Sequence, residues 1–140
     1  MHFDDHHRAL SEIRRVLKQG CSFSLTVWAE AADNQFISIP ISLASGLATE
    51  KVIHQTDPFS FGSPDAVRRA LEKGGFEQIS VCRVRGQFDF NMVLKQIVLA
   101  LDAYQRATLS ESLERAYAVF ETPLGFSAPC SLLVAGASKK

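Results

Sequence analysis

The stretch DHHRALSEIRRVLKQGCSFSLTVWAE, residues 5–30, predicts a helix, a tight turn and a strand. Apolar residues in its first part recur at the spacing of one helix face, and they are Ala9, Leu10, Ile13, Val16 and Leu17. Asp4 or Asp5 can accept hydrogen bonds from the free backbone amides at the start of this helix. Gly20 can adopt the left-handed conformation that commonly ends a helix.

A strand follows directly, over residues 22–29. Phe23, Leu25 and Val27 alternate there with small polar residues, which is the side-chain period of a strand. A helix followed by a strand is half of a crossover unit, in which another strand precedes the helix and runs parallel to the second. Residues 1–4 are too few to form that other strand, since a strand advances by about 3.3 Å per residue.

The segment RRVLKQG, residues 14–20, and the strand that ends in Val27 and Trp28 resemble the second half of class I S-adenosylmethionine-dependent methyltransferases. Such enzymes often carry Arg-Val-Leu-Lys-Pro-Gly-Gly before their fifth strand. This chain has Gln19 in place of the Pro and Cys21 in place of the second Gly. The resemblance continues through residues 57–59, residues 63–76 and the final strand, and so covers nearly the whole chain.

The part of this family's fold that holds the cofactor has no counterpart in the 140 residues. The family uses a Gly-rich loop after its first strand and an acidic residue after its second. No Gly-x-Gly occurs in this sequence, and the resemblance places that region before Met1. We therefore expect the C-terminal half of the methyltransferase fold, as a single domain over residues 1–140, with no cofactor held by the chain on its own.

Composition excludes several classes of protein. The chain has 15 Lys and Arg against 15 Asp and Glu, so it offers no electrostatic reason to bind nucleic acid or anionic lipid. Its 46% of hydrophobic residues is ordinary for a globular protein, and no apolar run reaches the roughly 18 residues of a membrane span. Cys21, Cys82 and Cys130 are isolated, which suits reduced thiols. We expect a cytoplasmic protein with no nucleic-acid or membrane partner.

The middle of the chain predicts two helices and a long strand. Residues 33–47 fit a helix or a strand, and we interpret them as a short helix that starts near Ser38, with Pro40 in its first turn. Residues 63–65, Ser-Pro-Asp, combine a capping residue, a Pro at the first position and an early acid, so they predict a firm helix start. Residues 78–90 then predict a strand.

The last part of the chain predicts a helical hairpin and a final strand. The hairpin comprises residues 91–106 and 108–120, and Thr108 and Glu111 fit a capping box for its second helix. Residues 122–129 predict a loop. Residues 130–137 are almost wholly apolar, as expected of a strand covered on both faces.

The resemblance implies an α/β fold built on a three-stranded mixed sheet, in the order 22–29, 130–137, 78–90. The last strand of the chain is antiparallel in it, helices cover the sheet, and the helical hairpin is an insertion. The strand 22–29 then lies at an edge, and it carries no Pro, Lys or inward charge to prevent pairing with another chain. We expect a homodimer through Phe23, Leu25 and Val27, across a two-fold axis. The alternative is that residues 33–47 fold over this edge.

Six residues are candidates for ligand binding. Glu30 and Asp57 could stand at the carboxyl end of the sheet, where open α/β folds bind ligands, and a carboxylate there could act as a base. Aromatic residues could line an apolar pocket at the same end, the alternative being plain core packing, and they are Trp28, Phe36, Phe59 and Phe61.

Metal-ligand residue types cluster near the N-terminus, and they are His2, Asp4, Asp5, His6 and His7. A solvated N-terminus with a capping Asp explains the same residues, so no metal site is expected. No Ser-His-Asp or Cys-His arrangement is readable, and we assign no catalytic residue.

Three functional hypotheses follow. The preferred one is a non-catalytic methyltransferase-like fragment that acts as a dimeric module for a small molecule or a partner protein. The second is the C-terminal subunit of a split methyltransferase, completed in trans by a chain that carries the Gly-rich loop. The third is an unrelated hydrolase or isomerase that uses Glu30 or Asp57.

Overall fold

The computed structural model describes residue 3 and residues 5–47, 57–89 and 102–140. These residues form four α-helices, which are α1 (His6–Val16), α2 (Gln35–Leu47), α3 (Pro64–Lys73) and α4 (Ala103–Tyr117). They also form four strands, which are β1 (Ser22–Trp28), β2 (Glu77–Asp89), β3 (Glu121–Thr122) and β4 (Gly125–Ser138). Single turns of 3-10 helix lie at Ala31–Asp33 and Ala118–Phe120.

The chain divides into two compact units. The first unit comprises Met1–Glu30, Gln55–Arg85 and Ser131–Lys140. The second unit comprises Ala31–His54 and Gly86–Cys130. The expectation of a single domain stays a prediction.

The opening helix and strand form as the sequence predicts. The Asp5 carboxylate accepts a hydrogen bond from the Arg8 backbone N–H at 2.9 Å and so caps α1. The helix ends at Val16, because Leu17 has an extended backbone. Gly20, with φ of +75°, makes the turn into β1, and its N–H donates to the Lys139 carbonyl at 2.8 Å. This bond joins the start of β1 to the end of β4.

β4 lies between β1 and β2, which is the strand order expected from the sequence. β1 and β4 run antiparallel, with Ser22 opposite Ser138 and Trp28 opposite Leu132. On the other side of β4, Ser138 bonds to the Glu77 carbonyl, and Cys82 contacts the Val134 carbonyl at 3.6 Å. The numbering rises along β2 as it falls along β4, so these two strands are also antiparallel.

Two details of the expected sheet are wrong. The sheet is not mixed, because neighbouring strands in the described residues are antiparallel. It also has a fourth strand, since β3 pairs with the start of β4, with Glu121 opposite Phe126. Thr122 closes the turn between them by donating to the Gly125 carbonyl at 2.6 Å. β4 therefore begins at Gly125 and not at Cys130, and residues 122–129 are a hairpin and not a loop.

The core of the first unit lies between the helix pair α1 and α3 and one face of the sheet. Leu10 of α1, Leu71 of α3 and Leu133 of β4 are each at most 7% exposed and belong to one apolar cluster. Arg14 of α1 donates to the Gly75 carbonyl at 2.8 Å, just after α3 ends. Burial of these large side chains provides the main stabilisation of this unit.

In the second unit, α2 begins at Gln35, three positions before the predicted start at Ser38. Pro40 consequently lies inside the helix, where its missing N–H cannot bond to the Phe36 carbonyl four residues earlier. The hydroxyl of Tyr117 in α4 donates to that carbonyl at 2.7 Å. A side chain from another helix thus replaces the hydrogen bond that Pro40 removes, which explains how a Pro is tolerated there.

α4 corrects the predicted helical hairpin. The helix runs through Thr108 without a break, and the Thr108 hydroxyl donates to the Tyr104 carbonyl of its own helix at 3.1 Å. The capping box is formed instead by Asp102 and Gln105, whose side chains each bond to the other's backbone N–H. Residues 91–101 of the predicted first helix lie outside the described residues.

No helix in the part of the chain that the structure describes combines the length and the apolar character needed to cross a membrane.

Candidate functional site

β1 is the terminal strand of the sheet within the described residues. β4 pairs with one side of it, and no described strand pairs with the other. The Ala29 N–H, just after β1, donates to the Ser131 carbonyl at 2.9 Å. The N–H and C=O groups of successive residues in an antiparallel strand point to opposite sides. Those of Ala29 point to β4, so those of Ser24 and Thr26 point to the outer side. β1 carries no Pro and no charge that would discourage pairing there.

An apolar cavity of about 230 Å³ lies within the first unit. It is bounded by α1, by β1, by α3 and by Phe61, which precedes α3. The side chains of Phe23, Leu25 and Val27, which alternate along β1, all contribute to its lining. The three residues predicted for a dimer edge therefore line a cavity.

Two aromatic rings and an imidazole stand at one part of this cavity. The rings of His6 and Phe61 meet edge to face, with centroids 4.8 Å apart and an interplanar angle of 85°. Phe3 also lines the cavity and is 58% exposed, so this part is open to solvent. Partial burial, and secondarily the neighbouring His7, lower the pKa of His6 below its usual value of 6.5. This shift favours the neutral imidazole, as suits an apolar lining.

Glu30, one of the two predicted carboxylates, is engaged in an ion pair. Its carboxylate lies 2.6 Å from the guanidinium of Arg83 on β2. A hydrogen bond from its own backbone N–H, and then the Arg83 guanidinium, hold the pKa of Glu30 below its usual range. A carboxylate kept ionised in this way is a poor proton acceptor, because a catalytic base needs a pKa near the working pH. The geometry gives no support to Glu30 as a base.

Asp57, the other predicted carboxylate, is exposed and stabilises the turn in which it lies. Its Oδ1 accepts the Phe59 N–H at 2.9 Å, and its carbonyl accepts the Ser60 N–H at 3.1 Å. Such an Asx turn orders the loop before α3. Phe59 itself is half-buried in this turn and is not among the residues that line the cavity.

The predicted aromatic pocket is only partly reproduced. Phe36 belongs to the second unit, is 1% exposed and stacks on Phe88 at 4.4 Å between ring centroids, so it is a core residue there. Trp28 is half-buried at the end of β1, opposite Leu132. Of the six predicted residues, all of which lie in the described part, Phe61 alone lines the cavity.

The cavity was missed because sequence periodicity predicts which side of a helix turns inward but not the space left there. The inward positions of α1 and α3 include two small residues, Ala9 and Ala70, and both line the cavity. Small side chains on two facing helices are the one pattern that could have indicated unfilled space.

Metal chemistry finds no support among the residues that the structure describes. They contain no group of three or more His, Cys, Asp or Glu side chains placed to hold an ion. His2 and Asp4 of the predicted cluster lie outside the described residues. Cys21 and Cys82 are exposed thiols and Cys130 is half-buried, and none of the three is in a disulfide.

Comparison with known proteins gives a likeness of structure. No family model matches the sequence, and no curated protein matches it. Among solved structures, a candidate methyltransferase from Bacillus halodurans C-125 superposes with a TM-score of 0.50 at 16% sequence identity. The match covers 96% of this chain and 63% of that one, so this chain spans less than two thirds of its length.

At 16% sequence identity this similarity is evidence for the fold alone. The chain has an α/β, methyltransferase-like fold, as the sequence resemblance implied.

Proposed function

We propose that the chain is a non-catalytic, methyltransferase-like module that binds a partner strand along the outer edge of β1, and that the partner is a second copy of the chain. The observation that carries this proposal is the terminal position of β1 in the sheet of the described residues. Its outward backbone groups are strong donors and acceptors that a second strand would satisfy. β1 also lacks the Pro, Lys and bulge by which natural edges avoid pairing.

Two copies can pair this edge symmetrically. With Leu25 of both copies at a two-fold axis, Ser24 of each chain stands opposite Thr26 of the other, and the outward N–H and C=O groups of both residues bond. Side chains directly opposite in such a pair lie on the same face, so the apolar residues of the two β1 strands contact one another. The result is one sheet that continues through both copies.

The way in which the two predicted carboxylates are used supports a non-catalytic role. Glu30 is held ionised by its own backbone N–H and Arg83, and Asp57 accepts an N–H of its own turn. Neither residue is placed as a base, which removes the reason to propose a hydrolase or isomerase. Partner binding therefore fits the geometry better than chemistry does.

The oligomeric state in solution tests the proposal. We expect the native chain to sediment as a dimer at micromolar concentration. The substitution Thr26→Pro removes an outward N–H and should give a folded monomer, since Pro is tolerated on an edge strand where the N–H faces solvent. Thr26→Val keeps that N–H and the β-branched shape, and should remain a dimer. A native monomer, or a Thr26→Pro variant that stays dimeric, contradicts the proposal.

A second function is favoured by one observation, the partial coverage of the solved methyltransferase-like chain. The rest of that chain has no counterpart here, so this chain could be the C-terminal subunit of a split methyltransferase completed in trans. The strand beside β1 would then come from a chain that carries a Gly-rich cofactor loop. Calorimetry with S-adenosylmethionine tests both proposals, and binding by the purified chain alone contradicts both. Binding only after a second chain is added supports the split enzyme.

A further inference from the structure

We propose that the apolar cavity of the first unit is a binding site for a small planar aromatic molecule of two fused rings that carries one N–H group, and that His6 accepts the hydrogen bond from that group. The proposal is independent of the dimer, because it concerns the space between α1, β1 and α3 within one copy.

The size of the cavity sets the size of the ligand. An apolar cavity of about 150 Å³ stays dry and accepts benzene. The cavity here measures about 230 Å³, which leaves room for a second fused ring. Ligands in such sites are held mainly by removing their apolar surface from water.

The lining favours an aromatic molecule over an aliphatic one. Phe23 and Phe61 both face the cavity, and aromatic pairs gain from stacked or edge-to-face contact beyond the area they bury. The edge-to-face contact of Phe61 with His6 already shows this geometry at 4.8 Å. A planar ligand can extend the same arrangement into the cavity.

The polar part of the lining favours a single donor on the ligand. His6 and Thr26 are the polar residues among the described residues that line the cavity. A neutral imidazole carries one acceptor nitrogen, which can receive one N–H. A ligand with a charge would lose its hydration without a partner of opposite charge in this lining, so the site selects neutral molecules.

Access is provided at the Phe3 side of the cavity. Phe3 is 58% exposed and His6 is only partly buried, whereas the deeper residues Leu10, Val67 and Leu71 are at most 7% exposed. A ligand that enters past Phe3 therefore meets His6 first and places its apolar part against the deeper residues.

Indole and indene are the probes that test this assignment. They have nearly the same shape, and only indole carries an N–H. Calorimetric titration of the native chain at pH 7 should show indole binding at one site, with an affinity about two- to tenfold higher than that of indene, the ratio expected of one net hydrogen bond. The variant His6→Phe should remove this preference while it retains indene binding.

Cavity-filling variants test the location. Ala70→Leu and Ala9→Leu add side-chain atoms from two different helices into the same space, and each should abolish indole binding without lowering the melting temperature. Ala107→Leu makes the same substitution on the exposed surface of α4 and should bind indole as the native chain does. Two different filling variants guard against one of them failing to fold.

The outcomes are decisive in both directions. Absence of indole binding to the native chain at millimolar concentration overturns the site, as does native-like binding by both folded filling variants. Equal affinity for indole and indene overturns the role of His6. Sedimentation of the same samples keeps the two proposals apart, because the filling variants should retain the oligomeric state of the native chain.

Discussion

The hydrogen bond from Tyr117 to the Phe36 carbonyl leads to a prediction about Pro40. Tyr117→Phe removes the donor that replaces the N–H missing at Pro40, and leaves the carbonyl of a residue that is 1% exposed without that bond. Loss of one partner of a buried hydrogen bond costs about 1–3 kcal/mol. Burial raises the pKa of Tyr117 to about 12, which agrees with a hydroxyl withdrawn from water. Because Tyr117 is only half-buried, we expect the lower part of that range, about 1–1.5 kcal/mol.

The variant Pro40→Ala makes this prediction specific. Alanine restores a backbone N–H at this position, which can bond to the Phe36 carbonyl within α2. In that background Tyr117→Phe should cost less than about 0.5 kcal/mol, so the two substitutions should be coupled by about 1 kcal/mol. Such coupling would show that Tyr117→Phe destabilises the chain because Pro40 lacks an N–H donor, and not because a hydroxyl is lost as such.

Urea unfolding followed by circular dichroism measures the four variants of this cycle. The chain has two tyrosines, and Tyr104 lies on the same helix at 81% exposure, so Tyr104→Phe is the matched control and should be neutral. An equal cost of Tyr117→Phe in the native chain and in the Pro40→Ala variant would refute the reasoning. A Tyr104→Phe variant as destabilised as Tyr117→Phe would refute it as well.

Three further predictions follow from the geometry. A Cβ at Gly62 would meet backbone atoms at 2.9 to 3.3 Å, so Gly62→Ala should lower the free energy of unfolding by about 1–3 kcal/mol. Gly46 has a helical backbone and nothing within 4 Å of such a Cβ, so Gly46→Ala should raise it by about 0.5–1 kcal/mol. Urea unfolding measures both variants, and equal effects would contradict this. Ser63→Ala removes the cap of α3 and should cost about 1 kcal/mol, and Ser63→Asp should restore it; a neutral alanine variant would count against the cap. The pKa of Glu30 is lowered on folding, so its contribution is present above its ordinary pKa of 4.5 and is lost as the pH falls through the lower folded value. Glu30→Gln should therefore lower the free energy of unfolding at pH 7 by less than about 1 kcal/mol, because the pair with Arg83 is partly exposed, and this cost should shrink as the pH falls below 4.5; the opposite pH order would refute it.

Local patterns in the sequence predicted the elements whose conformation is set within a few residues. α1 starts at Asp5 because a carboxylate three residues before an amide can cap it, and α3 starts after Ser63 for the same reason. The alternation along β1 predicts a strand whatever surrounds it. The resemblance to methyltransferases added the strand order, which no local pattern contains.

Errors occurred where a residue's role depends on a distant partner. Thr108 has the residue type of a cap, but Asp102 and Gln105 form the capping box, and α4 continues through Thr108. Pro40 argued for a helix start, because sequence alone cannot show that Tyr117 supplies the missing donor to the Phe36 carbonyl across a sequence separation of 81. In both cases an interaction outside the local window decided the result.

The amino-acid sequence and its resemblance to a known fold predicted the order of the elements. They also predicted that β1 lies at an edge of the sheet and carries no charged residue. The cavity and the uses of Glu30, Phe36 and Phe61 follow only from the tertiary structure. The physical reason is that periodicity determines which face of each element is apolar, whereas the volume left between two apolar faces depends on how α1 and α3 meet over β1. Small residues such as Ala9 and Ala70 leave that volume open.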